Sequence, residues 1–243
     1  MQQPRRAPGH DGPAGRAPSV QKRTEGDGVK GGWRRRALER SPELRRSEAR
    51  VAGQTDRLVV AARELYGQAP RQEFTVQQLS EKAGVSVQTF YRYFPTKDDL
   101  MLAVLDRSVQ DSVESLERRY GALPDVVERL RGCTVQGLRY GFQIRKDAFL
   151  WNMNAEQLRL ARIFPAEIEE IARMYEALLE RCISDGVARD AFKPSMEVKA
   201  AAAIISVLIA GIYHDIGTPA TAERIEVLLD SAWVVIRSVV GLD

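Results

Sequence analysis

The sequence predicts an all-α protein, and three observations support this prediction. From Thr55 onward, apolar residues recur at the three- and four-residue spacing of a helix, as at Leu58, Ala62 and Leu65, with charged residues between them. Prolines, glycines and capping residues fall where such segments would begin and end. No stretch alternates apolar and polar residues between hairpin turns, so we expect no sheet.

The first 50 residues differ in composition from the rest and are predicted to form a disordered leader. They are rich in Pro, Gly and Arg, and their 13 lysines and arginines against 6 acidic residues give a net charge of +7. Without apolar periodicity, such a segment cannot offset the entropic cost of ordering. Two interpretations stay open: a solvated leader, or an arm that contacts DNA phosphates or the minor groove. A short helix starting at Ser41-Pro42 is also compatible with the sequence.

Local signals bound the first two helices after the leader. A helix beginning near Thr55 is predicted to end at Pro70. Thr75 and Gln78 then have the spacing of a capping box, in which the threonine hydroxyl accepts from the Gln78 amide and the glutamine side chain reaches back. Gly84 is expected to close this second helix, because a tight turn between helices needs a residue that can take a positive φ.

Seven further helices are predicted after that turn. The third of the chain is capped by Ser86 and stopped by Pro95, and Lys97 opens a fourth that runs to about Arg119, with acidic residues in its first turn. Beyond it, the periodicity predicts helices at roughly 124–145, 147–161, 165–185, 195–215 and 222–240.

The second and third helices, joined through Gly84-Val85-Ser86, form a candidate helix-turn-helix. In such a unit the second helix lies in the major groove, where its N-terminal residues meet the edges of the bases. Gln88 can pair with adenine, and hydroxyl, amide and basic groups nearby can hold phosphates. The alternative is a packed three-helix core that touches no DNA. The candidate DNA-binding residues are Thr75, Gln77, Val87, Gln88, Thr89, Tyr91, Arg92, Tyr93 and Lys97.

Residues 74–100 run FTVQQLSEKAGVSVQTFYRYFPTKDDL and resemble the DNA-binding segment of TetR-type transcriptional regulators. The resemblance covers about residues 55–101. It implies that residues 84–86 are the turn, that residues 87–93 are the recognition helix and that Lys97 contacts a phosphate. It also implies that residues 51–101 form a helix-turn-helix DNA-binding domain and residues 102–243 a larger helical domain for effector binding and dimerisation.

The last two predicted helices are candidates for a homodimer interface. Residues 200–212 are apolar nearly all round, with small residues that allow close helix approach. Pairing of these two helices with their copies would give a four-helix bundle, and such a dimer would recognise a palindromic double-stranded operator. Burial inside the monomer is the alternative. The final helix offers an apolar stripe at Ile225, Leu228, Leu229, Ala232, Val235, Ile236 and Val239.

Aromatic and methionine residues concentrate in the middle of the chain, where a pocket for a small apolar effector is predicted. Asn152, Asn154, Gln157 and Arg145 could supply its polar contacts. His214 is either part of a helix cap or a polar ligand contact. Ordinary core packing is the alternative for each aromatic residue. The candidate pocket residues are Tyr140, Phe142, Phe149, Trp151, Met153, Met174 and Tyr175.

Composition argues against several other classes of protein. Two histidines are too few for a His-rich metal site, and the GxSxG, GxxxxGK[ST] and HExxH patterns are absent, so we expect no enzyme and no cofactor. Cys133 and Cys182, far apart in the sequence, are expected to be buried thiols. With no secretory signal or membrane span expected, the protein is predicted to be cytoplasmic. The predicted function is a ligand-released repressor; an activator, a ligand-independent regulator and a helical protein-interaction module are the alternatives.

Overall fold

The computed structural model describes residues 42–139, 148–215 and 222–242, and within these ranges every regular element is a helix. The all-α prediction is therefore confirmed for the described residues. None of their helices combines the length and apolar content that crossing a bilayer requires. In chain order the elements are α1 (Pro42–Tyr66), α2 (Val76–Ala83), α3 (Val87–Tyr93), α4 (Lys97–Tyr120), α5 (Val126–Arg131), a π-helical turn (Gly132–Gln136), α6 (Ala148–Ile163), α7 (Pro165–Ala188), α8 (Val198–Asp215) and α9 (Ala222–Val240).

Two helix boundaries bear on the predicted division of the chain. Residues 42–50, which composition assigned to the leader, belong to α1, because Pro42 presets the backbone for a first helical turn. The rest of the predicted leader lies outside the described residues. The proposed domain boundary after residue 101 falls inside α4, which is continuous from Lys97 to Tyr120.

The turn between α2 and α3 has the predicted local chemistry. The Thr75 hydroxyl accepts from the Gln78 amide at 3.2 Å, and the Gln78 side chain accepts from the Thr75 amide at 2.8 Å. Gly84 ends α2 with φ 64° and ψ 38°, a left-handed conformation in which a side chain would be strained. The Ser86 hydroxyl accepts from the Thr89 amide at 3.0 Å and starts α3. These bonds fix the angle at which α3 leaves α2.

Two apolar cores organise the described residues. The first lies among α1 to α4 but also takes Phe149, Met153 and Leu160 from α6 and Ile171 from α7. The second lies among α5, α7, α8 and α9. Helix α6 thus completes the core beneath the helix-turn-helix. A shift of α6 would displace α1 to α4 as well, because close-packed interiors transmit displacement.

Candidate nucleic-acid interface

One face of α3 is exposed while the opposite face is anchored in the first core. Phe90 has no exposed surface. Val87 and Tyr91 are 39% and 55% exposed, and Gln88 and Arg92 are also exposed. The spacing i, i+1, i+4, i+5 places these four exposed side chains on one side of the helix. The result is an outward face with an amide, a guanidinium, a phenol and an apolar group.

Two of the predicted contact residues on α3 already have partners within the protein. Thr89 is half-buried, and its hydroxyl lies 2.8 Å from that of Ser86. The Tyr93 hydroxyl donates to Oε1 of Gln54 on α1 at 2.6 Å. Sequence reasoning did not single out Gln54, since nothing in its local spacing links it to a residue 39 positions away. This bond ties the end of α3 to α1.

The Lys97 ammonium is held beside the start of α2. Its Nζ donates to the carbonyl oxygen of Phe74 at 2.8 Å and lies 4.3 Å from the centroid of the Phe74 ring. Thr75 and Gln77, at the start of α2, are exposed. A fixed cation next to the amides of a helix N-terminus is a favourable place for an anion.

Helix α6 is bonded to both ends of the helix-turn-helix unit. The Asn152 side chain, 6% exposed, donates to the carbonyls of Tyr66 and Ala69 at 2.7 and 2.9 Å and accepts from the Arg71 amide at 2.6 Å. These backbone groups belong to the last residue of α1 and to the segment that joins α1 to α2. The sequence offers Asn152 as a polar contact of the effector pocket. In the structure its amide group instead bonds these backbone groups.

The second bond from α6 reaches the start of α4. The Arg159 guanidinium donates to both carboxylate oxygens of Asp98, at 2.5 and 3.0 Å, and also to Glu156 at 2.6 Å. These hydrogen bonds from Arg159 hold the pKa of Asp98 below its ordinary value. Asp98 follows Lys97, so α6 also steadies the turn that carries the candidate phosphate-binding ammonium.

Those candidate pocket residues that the structure describes divide between the two cores and the surface. Phe149 and Met153 are buried in the first core and Met174 packs against it, whereas Tyr175 packs against the second core. Trp151 is 37% exposed. Tyr140 and Phe142, together with Arg145, lie outside the described residues. The predicted pocket remains a prediction.

Two buried polar atoms lie where α6 approaches the end of α8. Oδ1 of Asn154 and Nδ1 of His214 are both inaccessible to solvent, and neither has a hydrogen-bond partner among the residues that the structure describes. The Asn154 amide nitrogen is near the carbonyls of Tyr213 and His214, at 3.4 and 3.5 Å. Burial lowers the pKa of His214, which favours the neutral imidazole. Buried groups of this kind normally have partners, so the pair has spare hydrogen-bonding capacity.

The chain matches known proteins most clearly in its helix-turn-helix. A model for bacterial regulatory proteins of the tetR family matches residues 58–104. The HTH-type transcriptional regulator EthR of Mycobacterium tuberculosis is 35% identical over 74 residues, which are 30% of this chain and 34% of that protein. The EthR of Mycobacterium bovis matches to the same extent. The match thus spans about a third of the length of these curated relatives.

Solved structures share the fold over most of the chain. RolR in complex with resorcinol superposes with a TM-score of 0.58 at 17% identity, over 81% of this chain and 91% of that one. FadR from Bacillus subtilis in complex with stearoyl-CoA gives 0.57 at 19% identity, over 77% and 98%. At these identities the likeness shows the fold alone. The likeness to the tetR family of bacterial regulatory proteins is therefore carried by residues 58–104, and the rest of the chain shares the fold of these solved structures.

Proposed function

We propose that this protein is a DNA-binding transcriptional repressor that a small, largely apolar effector releases from its operator. The outward face of α3 carries the proposal. Gln88 and Arg92 offer the amide and guanidinium groups that pair with adenine and guanine edges, and Val87 can pack on a thymine methyl. The buried Phe90 holds α3 against the first core, so these groups project together from a rigid helix.

Lys97 and Tyr93 are proposed to contact phosphates in different ways. An ammonium has three donors, and the Phe74 carbonyl takes one of them from Lys97, so the others can bind a phosphate without rearrangement. The Tyr93 hydroxyl has one donor, which Gln54 accepts in the free protein. Tyr93 must therefore leave Gln54 before it can donate to DNA. We expect Lys97 to contribute more to affinity than Tyr93.

A duplex selected from a random pool by the purified protein provides the DNA for a binding test. Gln88→Ala should change which base is preferred at one position of each half-site, whereas Lys97→Ala should weaken binding to all sequences. Fluorescence anisotropy at several salt concentrations should give a log–log slope about 1 unit shallower for Lys97→Ala. A lack of sequence enrichment, or a wild-type slope near zero, would contradict the proposal.

Arg118→Ala serves as the matched control for the loss of one positive charge. Arg118 is on α4, as Lys97 is, but lies about 30 Å further along the helix axis. Its side chain is 69% exposed. The control should leave both the affinity and the salt slope unchanged. If Arg118→Ala weakens binding as much as Lys97→Ala, the effect reflects overall charge and not a contact.

The homodimer is proposed to form through apolar faces left exposed on α8 and α9. On α8, Ile204 and Val207 are 46% and 71% exposed, in line with exposed Gly211, which has no atom within 4 Å of a Cβ position. On α9, Val227 and Val234, seven residues apart, are 59% and 66% exposed. Large apolar side chains exposed on two neighbouring helices are typical of an interaction site.

Analytical ultracentrifugation can test this interface. Val207→Glu places a charge at the centre of the proposed contact and should shift the protein to monomers, because burying an unpaired carboxylate is costly. Leu158→Glu, at a side chain 55% exposed on α6, is the control and should leave the dimer intact. A Val207→Glu variant that remains dimeric, or a wild-type protein that is monomeric at working concentrations, would rule this interface out.

The effector is proposed to bind between α6 and α8, with Asn154 and His214 as its polar contacts. The structures of RolR and FadR hold resorcinol and stearoyl-CoA, which both combine a hydrocarbon part with polar groups. The unpartnered Asn154 Oδ1 is an acceptor, so a ligand hydroxyl or amide N–H would complete its hydrogen bonding.

Native mass spectrometry of the purified protein can detect a copurifying molecule. Asn154→Leu should reduce its occupancy, whereas Gln110→Leu, a similar exchange at an exposed position of α4, should not. An equal occupancy in both variants would place the effector elsewhere.

A further inference from the structure

Two thiols from different helices meet in the second core. Cys133 lies in the π-helical turn and Cys182 lies on α7, with exposures of 0% and 3%. Both are free, and their sulfur atoms are 3.9 Å apart. The chain has only these two cysteines. Any disulfide within one chain must therefore join this pair.

Hydrogen bonds on either side of the two cysteines keep their helices aligned with each other. Arg129, four residues before Cys133, donates to Asp185, three residues after Cys182, at 2.5 Å. The Tyr175 hydroxyl, two turns before Cys182 on α7, donates to the carbonyl of Cys133 at 2.8 Å. The sulfurs need to come only about 2 Å closer to reach the bond length of a disulfide, near 2.05 Å.

The backbone at Cys133 departs from regular α-helix. A π-helical turn accommodates an extra residue, and such turns occur preferentially at functional positions. A cavity of about 20 Å³ lies against the same turn, lined by Leu116, Tyr120, Gln136 and Gly137 among others. This is room for about one water-sized molecule. Neither sulfur lines this cavity, so an oxidant reaches the two buried thiols only when the surrounding helices open locally, which favours a small oxidant over a large one.

The two sulfurs are not equivalent. The pKa of Cys182 is lowered, because a thiolate there would accept a hydrogen bond from the Cys133 thiol, and Arg129 adds a favourable charge. This direction favours Cys182 as the attacking sulfur.

We propose that Cys133 and Cys182 form a dithiol that a small hydroperoxide oxidises to an intramolecular disulfide. The Cys182 thiolate attacks the terminal peroxide oxygen, which breaks the O–O bond, gives a sulfenic acid and releases the alcohol, or water from hydrogen peroxide. The Cys133 sulfur then attacks the sulfenic sulfur, forms the S–S bond and releases water, with its own proton joining the departing hydroxide. Two thiols lose two electrons and two protons, and the peroxide is reduced by the same two electrons.

The experiment treats the reduced full-length protein with hydrogen peroxide, then denatures and alkylates it with N-ethylmaleimide before intact-mass analysis. We expect the number of alkylated thiols to fall from two to zero, with a mass loss of two hydrogen atoms that dithiothreitol reverses. The product should run as a monomer on a non-reducing gel. Bulky cumene hydroperoxide should react more slowly than hydrogen peroxide. The readout involves no DNA, so it does not depend on the proposed function.

Single variants separate the roles of the two sulfurs. Cys182→Ser should leave Cys133 alkylatable, because the sulfur that attacks peroxide is gone. Cys133→Ser should leave Cys182 to add oxygen atoms without losing two hydrogens. If both wild-type thiols stay alkylatable after a peroxide dose that oxidises free glutathione, the proposal is wrong. It is equally wrong if the wild-type product gains oxygen or is cross-linked between chains.

Discussion

Truncation of Asn152 tests whether α6 holds the segment between α1 and α2. Asn152→Ala removes two donated hydrogen bonds and one accepted bond, all between 2.6 and 2.9 Å. A hydrogen bond contributes about 1 kcal/mol net, and a buried group left without its partner costs about 1–3 kcal/mol. The Tyr66 carbonyl is the buried partner, while the other two bonds are partly exposed. We therefore expect the free energy of unfolding to fall by about 3 kcal/mol.

Urea unfolding followed by circular dichroism measures this change as a shift of the midpoint at unchanged slope. Asn152→Asp keeps the side-chain volume but replaces both donors by a carboxylate facing two carbonyls, so it should destabilise at least as much as Asn152→Ala. Asn154→Ala, two residues along the same helix, is the matched control, because its amide makes only the two long contacts at 3.4 and 3.5 Å. It should cost less than about 1 kcal/mol.

The same measurement tests whether α6 constrains the segment that leads into the helix-turn-helix. Arg71, whose amide Asn152 accepts from, has φ 59°, an unfavourable conformation for a residue with a side chain. If Asn152→Ala and Asn152→Asp unfold within about 0.5 kcal/mol of the wild-type protein, the three bonds contribute nothing net. In that case α6 would not fix this segment or, through it, the start of α2.

Three further predictions concern backbone conformation, pH and packing, and denaturant unfolding measures each. Gly84→Ala should destabilise by about 1 kcal/mol because φ is 64°, whereas Gly53→Ala, inside α1 with equally free space, should stabilise by up to about 1 kcal/mol; equal effects would contradict this. Arg159 lowers the pKa of Asp98 from 3.8, so the folded state gains stability above that value and loses it as the pH falls below it. In Arg159→Met the free energy of unfolding should fall less steeply with decreasing pH, and a pH profile parallel to that of the wild-type protein would refute the role of Arg159. Gly186→Ala should lower the free energy of unfolding by about 1–3 kcal/mol, since its Cβ would stand 1.9 Å from a ring carbon of Phe192. An unchanged denaturation midpoint would contradict that packing.

Local features of the sequence determined the helices and the recognition unit. Thr75 with Gln78, Gly84 and Ser86 act through bonds and dihedral angles that span at most four residues, so their spacing alone predicted the caps and the turn. The burial of Phe90 and the exposure of Gln88 follow from the same periodicity, because one side of a short helix must face the core.

Tertiary structure decided which distant residues meet. Tyr93 bonds Gln54, Asn152 bonds the segment after α1, and Cys133 faces Cys182, yet each pair is separated by tens of positions. Such contacts depend on how helices cross, and crossing angles arise from the joint packing of many side chains, which no single spacing encodes. The same reason explains why Phe149 and Met153, read as pocket residues, lie in the core beneath the helix-turn-helix: an apolar residue at helical spacing has a predictable face but not a predictable neighbour.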